Sequence, residues 1–157
     1  MIRQQIGDVL EINFGYGWYY VVVLTNIVLF GGNIVFAYHN DGKKMGFEQL
    51  QELKNGFNIC VDLLWVKRQR LVTRIGKFAK IESFFKTKYL KRCFETQRGK
   101  KASRWFIYDI NDLRRQIAVV NSLPRKYREA MDSGTYSFDL VVEKIHKRYT
   151  PSQNEHI

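Results

Sequence analysis

The sequence contains few cysteines, which could form disulfides, and few prolines, which interrupt regular secondary structure. Its 157 residues include two cysteines and two prolines. Cys60 and Cys93 match no metal or redox spacing, which favours two free thiols. The scarcity of proline and the absence of low-complexity stretches argue against a long disordered region. No run of about 18 apolar residues occurs, so we predict no membrane-spanning helix and no membrane partner.

The amino terminus also lacks the apolar core of a signal peptide, because it reads MIRQQIGD. We therefore expect a cytoplasmic protein.

Catalytic motifs are missing as well. The three histidines, His39, His146 and His156, match no metal-ligand spacing. The sequence contains no GxSxG elbow, Walker A loop or GxGxxG motif. Asp8 and Glu11 stand three apart on a predicted strand, so their carboxylates point to opposite faces. We predict that the chain is not an enzyme and holds no metal or cofactor.

Positive charge, by contrast, is abundant and concentrated. The formal net charge is +11, and residues 67–108 carry fourteen Lys/Arg against two acids. Such a field implies a polyanion or an acidic partner surface, unless acids elsewhere in the fold neutralise it. We predict that exposed residues of 67–104 form a basic surface. Its candidate contacts are Arg68, Arg70, Arg74, Lys86, Lys88, Lys91, Arg92, Lys100 and Lys101.

Hydrophobic patterns predict strands followed by helices. Alternating or β-branched runs predict strands at 8–14, 18–24, 27–30, 33–38, 57–65, 70–76, 104–110 and 115–120. Gly31 and Gly32 suit the turn of a hairpin. Helix patterns lie at 47–54, 88–94, 122–132 and 138–149.

This order predicts an α+β fold. We expect a curved antiparallel sheet or a partly open SH3-like barrel with two C-terminal helices. Residues 1–150 should form a single domain, and residues 151–157 a disordered tail.

Five stretches resemble the immunity protein 26 family of bacterial polymorphic toxin and contact-dependent inhibition systems. They are GDVLEINFGYGWYYVVVLTN, NIVFAYH, RLVTRIGKFAK, SRWFIYDI and FDLVVEKIHKRY, the last with Val142, Glu143 and Tyr149 in matching places. The opening is also similar to the small-barrel ribonuclease toxins of the PemK and MazF type. Their Gly-rich loop with Arg-Pro is replaced here by Trp18-Tyr19-Tyr20, which removes the case for ribonuclease activity.

The resemblance to the immunity family implies an antitoxin that binds a cognate toxin domain and blocks its active site. Antitoxins of basic nucleases are commonly acidic, whereas this chain is basic. Either the toxin is acidic or is not a nuclease, or the basic segment lies away from the contact.

Two other functions remain open from the sequence. The first is binding of single-stranded nucleic acid, which needs cations and aromatic rings that stack on bases. The basic segment interleaves Lys/Arg with the rings of Phe84, Phe85, Tyr89, Phe94 and Trp105. The high aromatic share of 15% also suits self-association through an aromatic surface. The sequence does not name the toxin or the oligomeric state.

Overall fold

The computed structural model describes residues 4–25 and 32–157. These residues form ten strands and four α-helices. In chain order they are β1 (Asp8–Asn13), β2 (Trp18–Val23), β3 (Asn33–Tyr38), α1 (Phe47–Glu52), β4 (Gly56–Val61), α2 (Leu63–Arg68), β5 (Val72–Lys77), β6 (Tyr89–Arg92), β7 (Trp105–Asp109), β8 (Asp112–Val120), α3 (Arg125–Arg128), β9 (Met131–Asp132), β10 (Thr135–Tyr136) and α4 (Phe138–His146). Short 3-10 helices span Glu82–Phe84 and Pro151–Gln153.

The chain divides into two compact units. The first comprises residues 1–85 and 134–149, and the second comprises residues 86–133 and 150–157. The predicted basic segment, 67–104, is therefore shared between them.

The first unit is built on a six-stranded sheet in the order β10-β4-β3-β2-β1-β5. All its pairs are antiparallel except β10 with β4. The inward residues of β1 to β4 are apolar, and α4 packs its buried stripe of Phe138, Val141, Val142 and Ile145 against them. Helix α2 adds Leu63 and Val66 to this core. An amphipathic helix that buries one face on a sheet is the arrangement expected of an α+β fold.

The second unit is built on a four-stranded sheet in the order β8-β7-β6-β9. Strands β6, β7 and β8 pair antiparallel, whereas β9 runs parallel to β6. One face of the sheet buries Trp105 and Ile107 with Leu123 and Tyr127. Because successive strand residues point to opposite faces, Arg92 and Phe106 lie on the other face.

The predicted fold class is confirmed as mixed α+β, with two sheets that do not close into a barrel. Both predicted C-terminal helices exist, although α3 spans only Arg125–Arg128. The predicted strand 27–30 and Gly31 lie outside the described residues.

Two predicted elements are wrong. The strand predicted over 57–65 ends at Val61, because Asp62 accepts hydrogen bonds from the N–H groups of Leu64 and Trp65 and starts α2. The helix predicted over 88–94 is the strand β6. Strand β5 pairs with β1, and not with β4, the strand that precedes it in the chain.

The carboxyl-terminal residues carry regular contacts within the second unit, where the sequence predicts a disordered tail. Pro151 is buried, and the N–H of Ala102 donates to the carbonyl of His156 at 2.8 Å. The single domain predicted over 1–150 stays a prediction. Among the described residues, every helix is too short or too polar to cross a bilayer.

Candidate partner-binding site

Positive charge is densest in the second unit. Its 56 residues carry thirteen Lys/Arg against six Asp/Glu. Most of these cations lie on β6, on the loop 93–104 and on β8, so this unit supplies most of the predicted basic surface.

Eight of the nine predicted contacts are exposed. Two of these eight lie near a carboxylate: Arg74 is 3.7 Å from Asp8, and Lys100 is 3.6 Å from Glu95. The carboxylates therefore do not match the exposed cations one for one. In the described part of the chain, no ion pair is formed by Arg68, Arg70, Lys88, Arg92 and Lys101.

Lys91 is the exception among the predicted contacts, because only 1% of it is exposed. Its Nζ donates to the carbonyls of Arg128 at 2.6 Å and Pro151 at 2.5 Å, and lies 3.4 Å from Asp132. Burial lowers the pKa of Lys91, and the Asp132 carboxylate opposes this shift. Lys91 is therefore a structural residue of the second unit and does not contact a partner.

Aromatic rings and an arginine meet on the exposed face of the second unit's sheet. Phe94 is 66% exposed and makes an edge contact with Phe106, with 5.3 Å between ring centroids. The guanidinium of Arg92 lies 4.8 Å from the centroid of Phe94. Val119 is paired with Phe106 in the sheet and is 45% exposed. We call Arg92, Phe94, Phe106 and Val119 the aromatic face.

A cavity of about 290 Å³ opens beside the aromatic face. Phe94 and Phe106 line it together with Ala102, Ser103, Arg104 and Glu95. Three of these lining residues are apolar and three are polar or charged, so the cavity offers both kinds of contact to a partner's side chain. Glu95 places a negative charge at the same opening, and nearby Lys100 balances it.

Helix α2 of the first unit exposes two large apolar side chains that the sequence pattern had assigned to a strand. Leu64 is 48% exposed and Trp65 is 44% exposed. On a helix, residues three and four apart are neighbours, so both share a face with Arg68. The signal that could have found this surface is Asp62, a preferred N-cap residue just before the apolar run.

Two of the histidines, His39 and His146, form contacts within the first unit. The Tyr19 hydroxyl lies 2.8 Å from Nε2 of His146, and burial raises the pKa of Tyr19. Burial likewise lowers the pKa of His39, whose Nδ1 lies 3.4 Å from the Ile145 carbonyl. Across residues 4–25 and 32–157, no cluster of three His, Cys, Asp or Glu is placed to hold a metal ion.

Comparison of the chain with family models, curated proteins and solved structures returned no match. Its function is therefore inferred from its own sequence and surface.

Proposed function

We propose that this chain is an immunity protein of the bacterial cytoplasm. It binds a toxin domain with an acidic surface and blocks the active site of that domain without catalysing a reaction itself. The proposal draws on the resemblance to the immunity protein 26 family and on the aromatic face.

The aromatic face is the observation that carries the proposal. Aromatic residues and Arg are enriched where proteins bind one another, whereas charged residues such as Lys and Glu are depleted from interface centres. Here Phe94 stands out from the sheet with Arg92 against its ring, and a cavity opens beside it. The surrounding cations would speed the encounter with an acidic target and select against basic ones.

The strand order of the first unit supports a finer proposal for its fold. Strands β1 to β4 follow each other as antiparallel neighbours, and β5 returns to pair with β1. We propose that these five strands form a partly open SH3-like arrangement, to which β10 adds a parallel edge.

The proposed function is tested by protection of growth. The probe is the carboxyl-terminal domain of the protein encoded by the gene immediately upstream, called the upstream domain below. We expect its production in bacteria to stop growth and co-production of this chain to restore it. Growth arrest that persists with the folded chain present would overturn the proposal.

Binding of single-stranded nucleic acid is a second candidate function. The exposed ring of Phe94 beside Arg92 is suited to stacking on a base, which every nucleotide offers. Fluorescence anisotropy with an oligothymidylate of about 20 nucleotides tests it. Tight binding that weakens steeply with salt, and that Phe94→Ala reduces, would favour this function. No binding near physiological ionic strength would exclude it.

A further inference from the structure

Helix α2 ends in a backbone conformation that is unfavourable for the residue it carries. Arg70 has a φ of 57°, in the left-handed region that favours glycine. The N–H of Arg70 donates to the carbonyl of Lys67, and the N–H of Leu71 donates to that of Val66. This pair of bonds is the Schellman motif, in which the residue at this position is usually Gly.

The same motif ends α4, and there the arginine has a visible partner. Arg148 has a φ of 50°, and its guanidinium donates to Asp41 at 2.8 Å. Within the described residues, Arg70 has no side-chain hydrogen bond or ion pair. A side chain that costs folding energy and forms no hydrogen bond or ion pair with the described residues points to a contact with another molecule.

The neighbours of Arg70 supply the rest of a binding surface. Leu64 and Trp65 are about half exposed on α2, and Arg68 shares their face. Asp62 is engaged by the N–H groups of Leu64 and Trp65, and the nearby Asp8 carboxylate acts on Lys67 and lies 3.7 Å from Arg74. The surface therefore combines an exposed Trp and Leu with Arg68 and Arg70, which form no ion pair among the described residues.

We propose that Leu64, Trp65, Arg68 and Arg70, called the α2 surface, bind the toxin domain directly. The matching site on that domain is an apolar depression flanked by carboxylates. Trp65 fills the depression and the two guanidinium groups pair with the carboxylates, because Trp and Arg are the side chains that most often dominate protein interfaces. This inference rests on the proposed function, since it takes the toxin domain as the partner.

Calorimetric titration of the full chain with the upstream domain tests the inference. Arg70→Gly and Trp65→Ala should each raise the Kd about tenfold or more. Arg70→Gly should leave the melting temperature unchanged or raise it, because glycine suits the left-handed position. The loss of affinity is then separated from any loss of folding.

Two variants of the first unit are matched controls. Arg148→Gly makes the same substitution in the same motif, and Lys54→Glu makes the same charge change as Arg68→Glu at another exposed site. We expect the controls to keep the Kd of the natural chain and Arg68→Glu to weaken it.

The outcomes separate the inference from the proposed function. If the natural chain binds the upstream domain and the α2 variants bind equally well, the inference is overturned and the proposed function stands. If the natural chain does not bind the domain, both are overturned.

Discussion

A single residue, Lys91, shows how strongly the environment decides what a charge does. It lies in the most basic stretch of the sequence, yet its ammonium group is buried among the carbonyls of Arg128 and Pro151 and the carboxylate of Asp132. Buried charges are tolerated when they are paired and hydrogen-bonded. In this role Lys91 ties β6 to α3 and to the carboxyl-terminal residues.

Lys91→Met should destabilise the chain by about 3 kcal/mol, because it removes one partner of a buried pair and takes a charged donor away from Asp132 and from two carbonyls. Urea unfolding followed by circular dichroism measures this loss. Lys88→Met, at an exposed site three residues earlier, is the control and should cost less than about 0.5 kcal/mol. Equal free energies of unfolding for the two variants would contradict a stabilising role of Lys91.

The burial of Lys91 also predicts a pH dependence. Its pKa in the folded chain lies below the ordinary value of 10.5, so between these two values the unfolded chain binds more protons and stability rises with pH. The natural chain should therefore gain stability relative to Lys91→Met as the pH rises from the lowered pKa of Lys91 toward 10.5. Urea unfolding of both chains across that range measures the difference. A difference that shrinks as the pH rises would contradict the direction of the shift.

The burial of Lys91 can be predicted from the sequence only if residues 89–92 are recognised as a strand. On a strand, Tyr89 and Lys91 share one face and Leu90 and Arg92 the other, and the pairing of Lys91 with Ile107 puts Lys91 on the face that buries Trp105 and Ile107. The helix pattern predicted there gives no such alternation. The other eight candidate contacts are exposed, as long charged side chains almost always are.

At the scale of elements, the junction between β4 and α2 decides where Trp65 points. The alternation from Phe57 to Trp65 correctly predicts a strand as far as Val61. Beyond it, Leu63 is buried in either element, so its apolar character does not distinguish them. The cap at Asp62 makes the difference, because it turns the chain into a helix that exposes Trp65.

Asp62→Ala should lower the free energy of unfolding by about 1 kcal/mol, because the N–H groups of Leu64 and Trp65 lose their acceptor. Asp62→Asn keeps a capping oxygen and should preserve most of that stability. Thermal unfolding of the two variants beside the natural chain measures the difference. An Asn variant as unstable as the Ala variant would assign the effect to charge and not to capping.

The larger elements were more predictable than the short ones. Strands β1, β2 and β7 and helix α4 carry long, regular patterns, and each was found close to its predicted bounds. Strands β9 and β10 have two residues each and depend on parallel pairing with distant strands, which a local pattern does not contain. The sequence accordingly predicts the candidate site only as a segment rich in Lys and Arg. Its aromatic face depends on the pairing of β6, β7 and β8, which the sequence pattern does not contain.

On the scale of the whole molecule, the uneven distribution of charge should govern the rate of association. The triple variant Lys88→Glu, Arg92→Glu, Lys101→Glu reverses exposed cations of the second unit. At low ionic strength it should slow association with the upstream domain by about tenfold or more, since steering depends on the local field. Stopped-flow fluorescence measures this rate.

The control for that experiment reverses the same number of charges elsewhere. Lys43→Glu, Lys44→Glu, Lys54→Glu changes exposed cations of the first unit and should slow association far less. An on-rate equally reduced in both variants would mean that net charge alone, and not the segment, steers the partner.

We propose that this protein acts by binding a protein partner through its exposed arginines and aromatic rings. Hydrogen–deuterium exchange of the full chain, alone and with the upstream domain, tests it most directly. We predict that the domain slows exchange at residues 63–71 and in the segment 92–106 that carries Phe94. Unchanged exchange throughout the chain with the domain in excess would contradict the claim.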